Sequence, residues 1–131
     1  MTVAEAMKKM ILLSNGNRHD INHFLKVHAY AAAIGACEGL PEDTLQTLEL
    51  AAIVHDIACP LCREKYGNTN GNYQQLEGAS LTREFFAGTD VPAEQLERIV
   101  WLVSHHHTLR PIEGPDHQIL IEADYLVNAE E

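Results

Sequence analysis

The segment AAIVHDIACP, residues 51–60, carries two polar side chains at the end of an otherwise apolar run. Burying a charged group costs free energy unless the group is paired or binds a metal ion. His55 and Asp56 therefore predict either a buried partner or a metal ion inside the fold. Pro60 follows closely and predicts that the helix carrying them ends nearby.

Apolar residues recur with helical spacing on both sides of this segment, and no stretch shows the sustained alternation of a strand. Gly, Asn and Pro stand between the periodic stretches and indicate connections. The chain is thus predicted to be all-α: one compact bundle of about six helices forming a single domain, residues 1–131, with its core over 18–131. The six predicted helices cover residues 2–13, 19–39, 41–58, 73–88, 91–107 and 117–131.

The composition limits the classes of partner. Nine Lys and Arg stand against nineteen Asp and Glu, a formal net charge of −10, which argues against a nucleic-acid polymer. The N-terminal stretch has only a four-residue apolar run, too short for a membrane span or an export signal, so no membrane partner is expected. Three cysteines, two of them in CPLC at 59–62, suit a reduced cytoplasmic protein.

Four polar residues occupy positions where an apolar helix stripe would place Leu or Ala. They come from four predicted helices and are His28, His55, His106 and Asp124. A single inward histidine is usually a core residue satisfied by a hydrogen bond, and that interpretation stays open for each one alone. Imidazole and carboxylate groups that converge from separate helices are what a divalent metal ion requires. A frayed helix end before Pro60 would let Asp56 reach the same ion.

The ordered set KVHAYA, AAIVHDIA and ILIEADYLVN resembles the HD-domain superfamily of metal-dependent phosphohydrolases. The family pattern is a histidine, then an adjacent His-Asp pair, then a distant aspartate, all on helices. Another pair, His19-Asp20, precedes the first histidine without an apolar run before it, and is set aside. The resemblance implies a divalent metal ion, with Mn, Fe, Ni, Co, Zn and Mg all suited to such ligands. The implied ligands are His28, His55, Asp56 and Asp124.

Two further stretches bear on a second metal ion. SHHHT at 104–108 resembles the paired histidines of dinuclear family members, which implies a second-metal or phosphate contact for His105 or His106. LEGASLTREFF at 76–86 resembles a helix that follows another histidine ligand in those members, but Gln74 and Glu77 stand at the nearest positions here. Because Glu77 can bind a cation and glutamine is a poor ligand, one metal ion is expected, with a second only weakly held.

The resemblance implies a phosphoester hydrolase acting on a small phosphorylated molecule, such as a nucleotide. Asp56 or Glu77 would orient the attacking water or take its proton, and Lys65 would contact the phosphate. Two alternatives stay open, a di-iron HD-type oxygenase and a non-catalytic domain that binds a nucleotide or metal for regulation. The missing histidine at 74–77 counts against the oxygenase. A homodimer is compatible with the sequence.

Overall fold

The computed structural model describes all 131 residues and contains seven α-helices and no strand. This confirms the all-α fold expected from the helical periodicity. The elements are α1 (Val3–Leu13), α2 (Arg18–Cys37), α3 (Glu42–Val54), α4 (Cys59–Tyr66), α5 (Gly71–Phe86), α6 (Ala93–His105) and α7 (Pro115–Glu130).

Helix α3 is the centre of the bundle and packs against α1, α2, α6 and α7. Its last five residues, 50–54, are at most 1% exposed. A helix that is apolar on every side is a core helix, which explains the unbroken apolar run before His55.

The stretch Glu42–Tyr66 is long and apolar enough to cross a membrane, but 67% of its apolar window is buried in the fold. Core helices commonly meet this criterion, so it is weak evidence for a span.

The chain leaves the helical path after Val54, and residues 55–58 form a turn before α4. The sequence had predicted one helix up to residue 58 and a loop from Pro60; both boundaries are wrong. Pro60 lies in the first turn of α4, where a missing N–H breaks no intrahelical hydrogen bond. On a continuous helix, His55 and Asp56 would diverge by about 100°. The turn removes that constraint and lets both side chains face one point.

Helix α2 begins beside the end of α3. The Asn17 side chain accepts a hydrogen bond from the backbone N–H of Asp20, which caps the new helix. Because α2 packs against both α3 and α7, its first two turns lie close to the turn at 55–58 and to the end of α7. These three elements supply the side chains of the candidate site.

Candidate metal centre

Four side chains from three separate parts of the chain meet inside the bundle. They are His23 of α2, His55 and Asp56 of the turn after α3, and Asp124 of α7, with ligand atoms within 4.8 Å of one another. His23 Nε2 lies 3.1 Å from Asp56 Oδ2 and 3.1 Å from Asp124 Oδ1. His55 Nε2 lies 3.3 Å from Asp124 Oδ1 and 3.4 Å from Asp56 Oδ2. We call this group the metal cluster.

The other ring nitrogen of each histidine is already engaged. His55 Nδ1 lies 2.6 Å from the carbonyl oxygen of Ala52, and His23 Nδ1 lies 2.7 Å from Glu131 Oε1. Because carbonyl and carboxylate oxygens only accept, each Nδ1 donates its proton, and each neutral ring turns a lone pair on Nε2 toward the cluster. Two imidazole lone pairs and two carboxylates cannot satisfy one another without a cation or an added proton. A divalent metal ion fits this set of donors.

The crowding also shifts the acid–base behaviour of the metal-free cluster. Burial disfavours the charged form of His23, but hydrogen bonds to Asp124 and Asp56 outweigh it and raise the pKa of His23 to about 10. Burial would raise the pKa of Asp124, yet hydrogen bonds from His23 and His55 bring it below its usual range. Without a metal ion, the cluster therefore retains a proton at neutral pH.

Asp56 also faces a second group of histidines. Its Oδ1 lies 3.3 Å from His106 Nε2, a fully buried nitrogen without a hydrogen-bond partner. His106 Nδ1 donates to the carbonyl of Val103 at 2.7 Å, so its Nε2 lone pair is also directed at a carboxylate. His107 brings a third ligand atom within 4.8 Å of these two. Asp56 can thus contribute one oxygen to each group.

Gln74 lies in the same region and is buried. Its amide nitrogen donates to the carbonyl of Thr69 at 2.7 Å, while its Oε1 has no hydrogen-bond partner. Buried side-chain oxygens without a partner are uncommon and call for a reason. Gln74 lines the same cavity as Asp56 and His107, so this buried amide borders the site.

Three of the four predicted metal ligands lie in the cluster, and His28 does not. His28 Nε2 instead lies 2.9 Å from Glu49 Oε1, where it joins α2 to α3. The expected convergence of His28 is therefore wrong. His23, one and a half turns earlier on α2, takes its place because it borders the fully buried side of that helix.

The expected second-site histidines separate in the structure. His106 reaches Asp56, whereas His105 stacks on Trp101 with ring centroids 4.2 Å apart and hydrogen-bonds to the Trp101 carbonyl. His105 therefore does not join the site, contrary to expectation, because it is still part of α6. His107 lies beyond the end of α6 and joins instead.

Glu77 and Lys65 engage each other rather than the site. Lys65 Nζ lies 3.0 Å from Glu77 Oε1, and the hydroxyl of Tyr66 donates to the same oxygen at 2.9 Å. Neither Glu77 nor Lys65 lines the cavity at the metal cluster, so the expected catalytic placement of both is wrong. The charges of Lys65 and Glu77 form an ion pair that joins α4 to α5 outside the site.

A polar cavity of about 280 Å³ opens beside the metal cluster. Arg63 is the only Lys or Arg in its lining, and its guanidinium binds both carboxylate oxygens of Asp20. His19 lines the cavity as well, so the His-Asp pair set aside in the sequence borders the site. The sequence offers no local signal for the pairing of Arg63 with Asp20, because the two residues are 43 positions apart.

Glu131 lies at the rim of the cluster, where its Oε1 accepts a hydrogen bond from His23 Nδ1 at 2.7 Å. Its Oε2 lies 3.0 Å from His19 Nε2. Such outer partners orient a metal-binding imidazole and change metal affinity about 10- to 100-fold.

We expect Glu131→Ala to weaken Mn²⁺ binding about tenfold in calorimetric titration. Glu130→Ala is the matched control, since Glu130 pairs with exposed Lys26 at 3.0 Å. Equal affinities for the two variants would contradict this role.

Comparison with known proteins agrees with the geometry. The family model described as HD domain matches residues 20–129, which run from α2 into α7 and include all four residues of the metal cluster. No curated protein and no solved structure shows a significant match. The family model covers well over half of the chain, and the chain therefore belongs to the HD-domain family.

Proposed function

We propose that this protein is a metal-dependent phosphohydrolase that acts on a small phosphorylated molecule, a nucleotide or a related phosphoester. The observation that carries the proposal is the metal cluster, where imidazole lone pairs and carboxylates converge beside an open polar cavity. A bound divalent ion supplies positive charge and lowers the pKa of water toward about 7. His23, His55, Asp56 and Asp124 would hold that ion.

The remaining groups of the site have distinct roles in this proposal. Asp56 Oδ1, which faces His106, can orient the attacking water and accept its proton. The water oxygen bonds to phosphorus as its proton passes to Asp56, and the ester P–O bond breaks. The leaving alkoxide takes up that proton and departs as the alcohol. Arg63, held in orientation by Asp20, takes the phosphate-binding role expected of Lys65. His106 and His107 would contact the phosphate or a weakly held second ion. Gln74 Oε1 only accepts, and it would therefore serve the second ion alone.

A di-iron oxygenase remains the second candidate, because Asp56 faces two separate groups of histidines. The amide oxygen of Gln74 is a weaker iron ligand than a histidine, which favours hydrolysis. Two irons per chain, with oxygen consumed on an organic substrate, would favour the oxygenase. We place the protein in the reducing cytoplasm, in line with its three free cysteines.

The test is phosphate release from nucleotides and simple phosphomonoesters by the Mn²⁺-loaded protein. Asp124→Asn is expected to reduce release to the level of free Mn²⁺, because it removes a carboxylate from the cluster. Absence of release above that level for every phosphoester would contradict the hydrolase proposal and leave the oxygenase and the non-catalytic binding role.

Arg63 and Lys65 provide a matched pair of charge deletions within α4. Arg63→Ala is expected to raise KM about tenfold, the usual cost of losing one charged hydrogen bond. Lys65→Ala should leave KM unchanged, since Lys65 is paired with Glu77 outside the cavity. Steady-state kinetics on one phosphomonoester measure both, and a larger effect at Lys65 would contradict the assignment.

A further inference from the structure

A second cavity, about 500 Å³ in volume, adjoins the metal cluster. It shares the lining residues His107, Asp124 and Asn128 with the polar cavity, so the two cavities are adjacent at the site. Unlike the first, it has a largely apolar wall. That wall is formed by Leu109, Ile121, Tyr125 and Leu126, which we call the apolar groove.

Three of the four residues of the apolar groove are unusually exposed. Tyr125 is 70% exposed, Leu109 61% and Leu126 42%. Single exposed apolar residues are ordinary, but a contiguous group beside a polar site is typical of a surface that binds a ligand. Here the group borders two residues of the site, His107 and Asp124, so the apolar surface adjoins the metal cluster.

The charges around the two cavities restrict what such a ligand can be. The polar cavity has one guanidinium, from Arg63, and that group is already paired with Asp20. The apolar groove has no Lys or Arg and is bordered by Glu122. A chain of several phosphates would meet carboxylates without enough positive charge to balance them. A single phosphoryl group attached to an uncharged body avoids this repulsion.

We propose that the apolar groove binds the uncharged, apolar body of a phosphomonoester whose phosphate occupies the polar cavity beside the metal cluster. This inference rests on the proposed function and narrows its substrate class. The alcohol released on hydrolysis would then be an apolar one, and the groove would set specificity through its contacts with that group.

The test is calorimetric titration of the Mn²⁺-loaded protein with n-alkylphosphonates from ethyl to hexyl, which bind as phosphates do but cannot be hydrolysed at the C–P bond. Each methylene that enters the groove is expected to raise affinity about two- to fourfold. Leu109→Ser and Leu126→Ser should each reduce the gain in affinity per methylene. Leu76→Ser is the matched control, because Leu76 is 68% exposed on α5 and lies outside the groove.

The outcomes separate this inference from the proposed function. Affinity that does not change with chain length, an absence of binding, or a length dependence that survives Leu126→Ser would each overturn it. So would a dimer that Leu126→Ser dissociates, since a second copy would then cover the groove. If phosphonate affinity rises with length but no alkyl phosphate is hydrolysed, the groove stands and the hydrolase proposal falls. If alkyl phosphates of every chain length are hydrolysed with equal kcat/KM, and phosphonate affinity does not change with length, the hydrolase proposal stands and the groove proposal falls.

Discussion

His23→Gln is expected to lower the affinity for Mn²⁺ by more than about 100-fold, beyond the effect of losing an outer partner. The reason is that His23 Nε2 lies 3.1 Å from a carboxylate oxygen of each cluster aspartate. His28→Gln should change the affinity by less than about twofold, as for a substitution away from the site. Calorimetric titration and metal content after gel filtration measure both.

The two variants control for each other, because both replace a histidine of α2 by the same residue. Gln can still donate to Glu49 in place of His28, so the α2–α3 contact is kept. Circular dichroism and the melting temperature of each metal-free variant verify the fold. The visible spectrum of the Co²⁺-loaded proteins should change for His23→Gln alone. Loss of metal by His28→Gln with retention by His23→Gln would show that the cluster is assigned to the wrong histidine.

The confusion between these two histidines has a simple physical origin. Positions five apart on a helix point about 140° from each other, so only one of them can face the core centre. One helical stripe of α2 contains Ile21, Leu25, His28 and Ala32 and predicts that His28 faces the core, but these four residues are only partly buried. An equally regular set is fully buried and has His23 at its edge: Phe24, Val27, Ala31 and Gly35. When two stripes of one helix both predict a buried face, the choice between them requires knowing which helices pack against it.

Other parts of the site were predictable because their signals are local. His55 and Asp56 stand out at the end of a buried helix, and Asp124 interrupts the apolar side of α7. By contrast, the pairing of Lys65 with Glu77 and of Arg63 with Asp20 depends on how α4 is oriented. Gly and Asn after Lys65 predict a connection over residues 60–72, which offers no helix face to separate the two basic residues. Long-range pairing of surface charges leaves no periodic trace in a sequence.

Metal binding is expected to strengthen with pH, because it must displace a proton. The pKa of His23 in the metal-free cluster is raised to about 10, so its Nε2 is protonated at neutral pH. A metal ion needs that lone pair, and binding therefore releases the proton. Release of one proton increases the apparent affinity about tenfold per pH unit below that pKa, hence about 100-fold between pH 6 and pH 8.

The stability of the metal-free protein should show the opposite trend. Because the folded pKa of His23 lies above its usual 6.5, its contribution is complete below about pH 6.5 and is lost as the pH rises toward 10. Asp124 has a lowered pKa, so its contribution is present above its usual 3.8 and is lost in acid. Melting temperatures in EDTA should therefore fall from pH 6.5 to pH 9.

With saturating Mn²⁺ the melting temperature should instead rise with pH up to about 6.5 and then level off, since above that pH the tighter binding offsets the loss of the His23 contribution. A melting temperature that falls in EDTA but stays level in Mn²⁺ above pH 6.5 is thus the signature of a cluster that exchanges a proton for a metal ion. His23→Gln removes the exchanged proton and should flatten the EDTA slope, while His28→Gln should keep it. Parallel slopes in the two conditions for the unmodified protein would show that proton and metal do not compete for the same nitrogen.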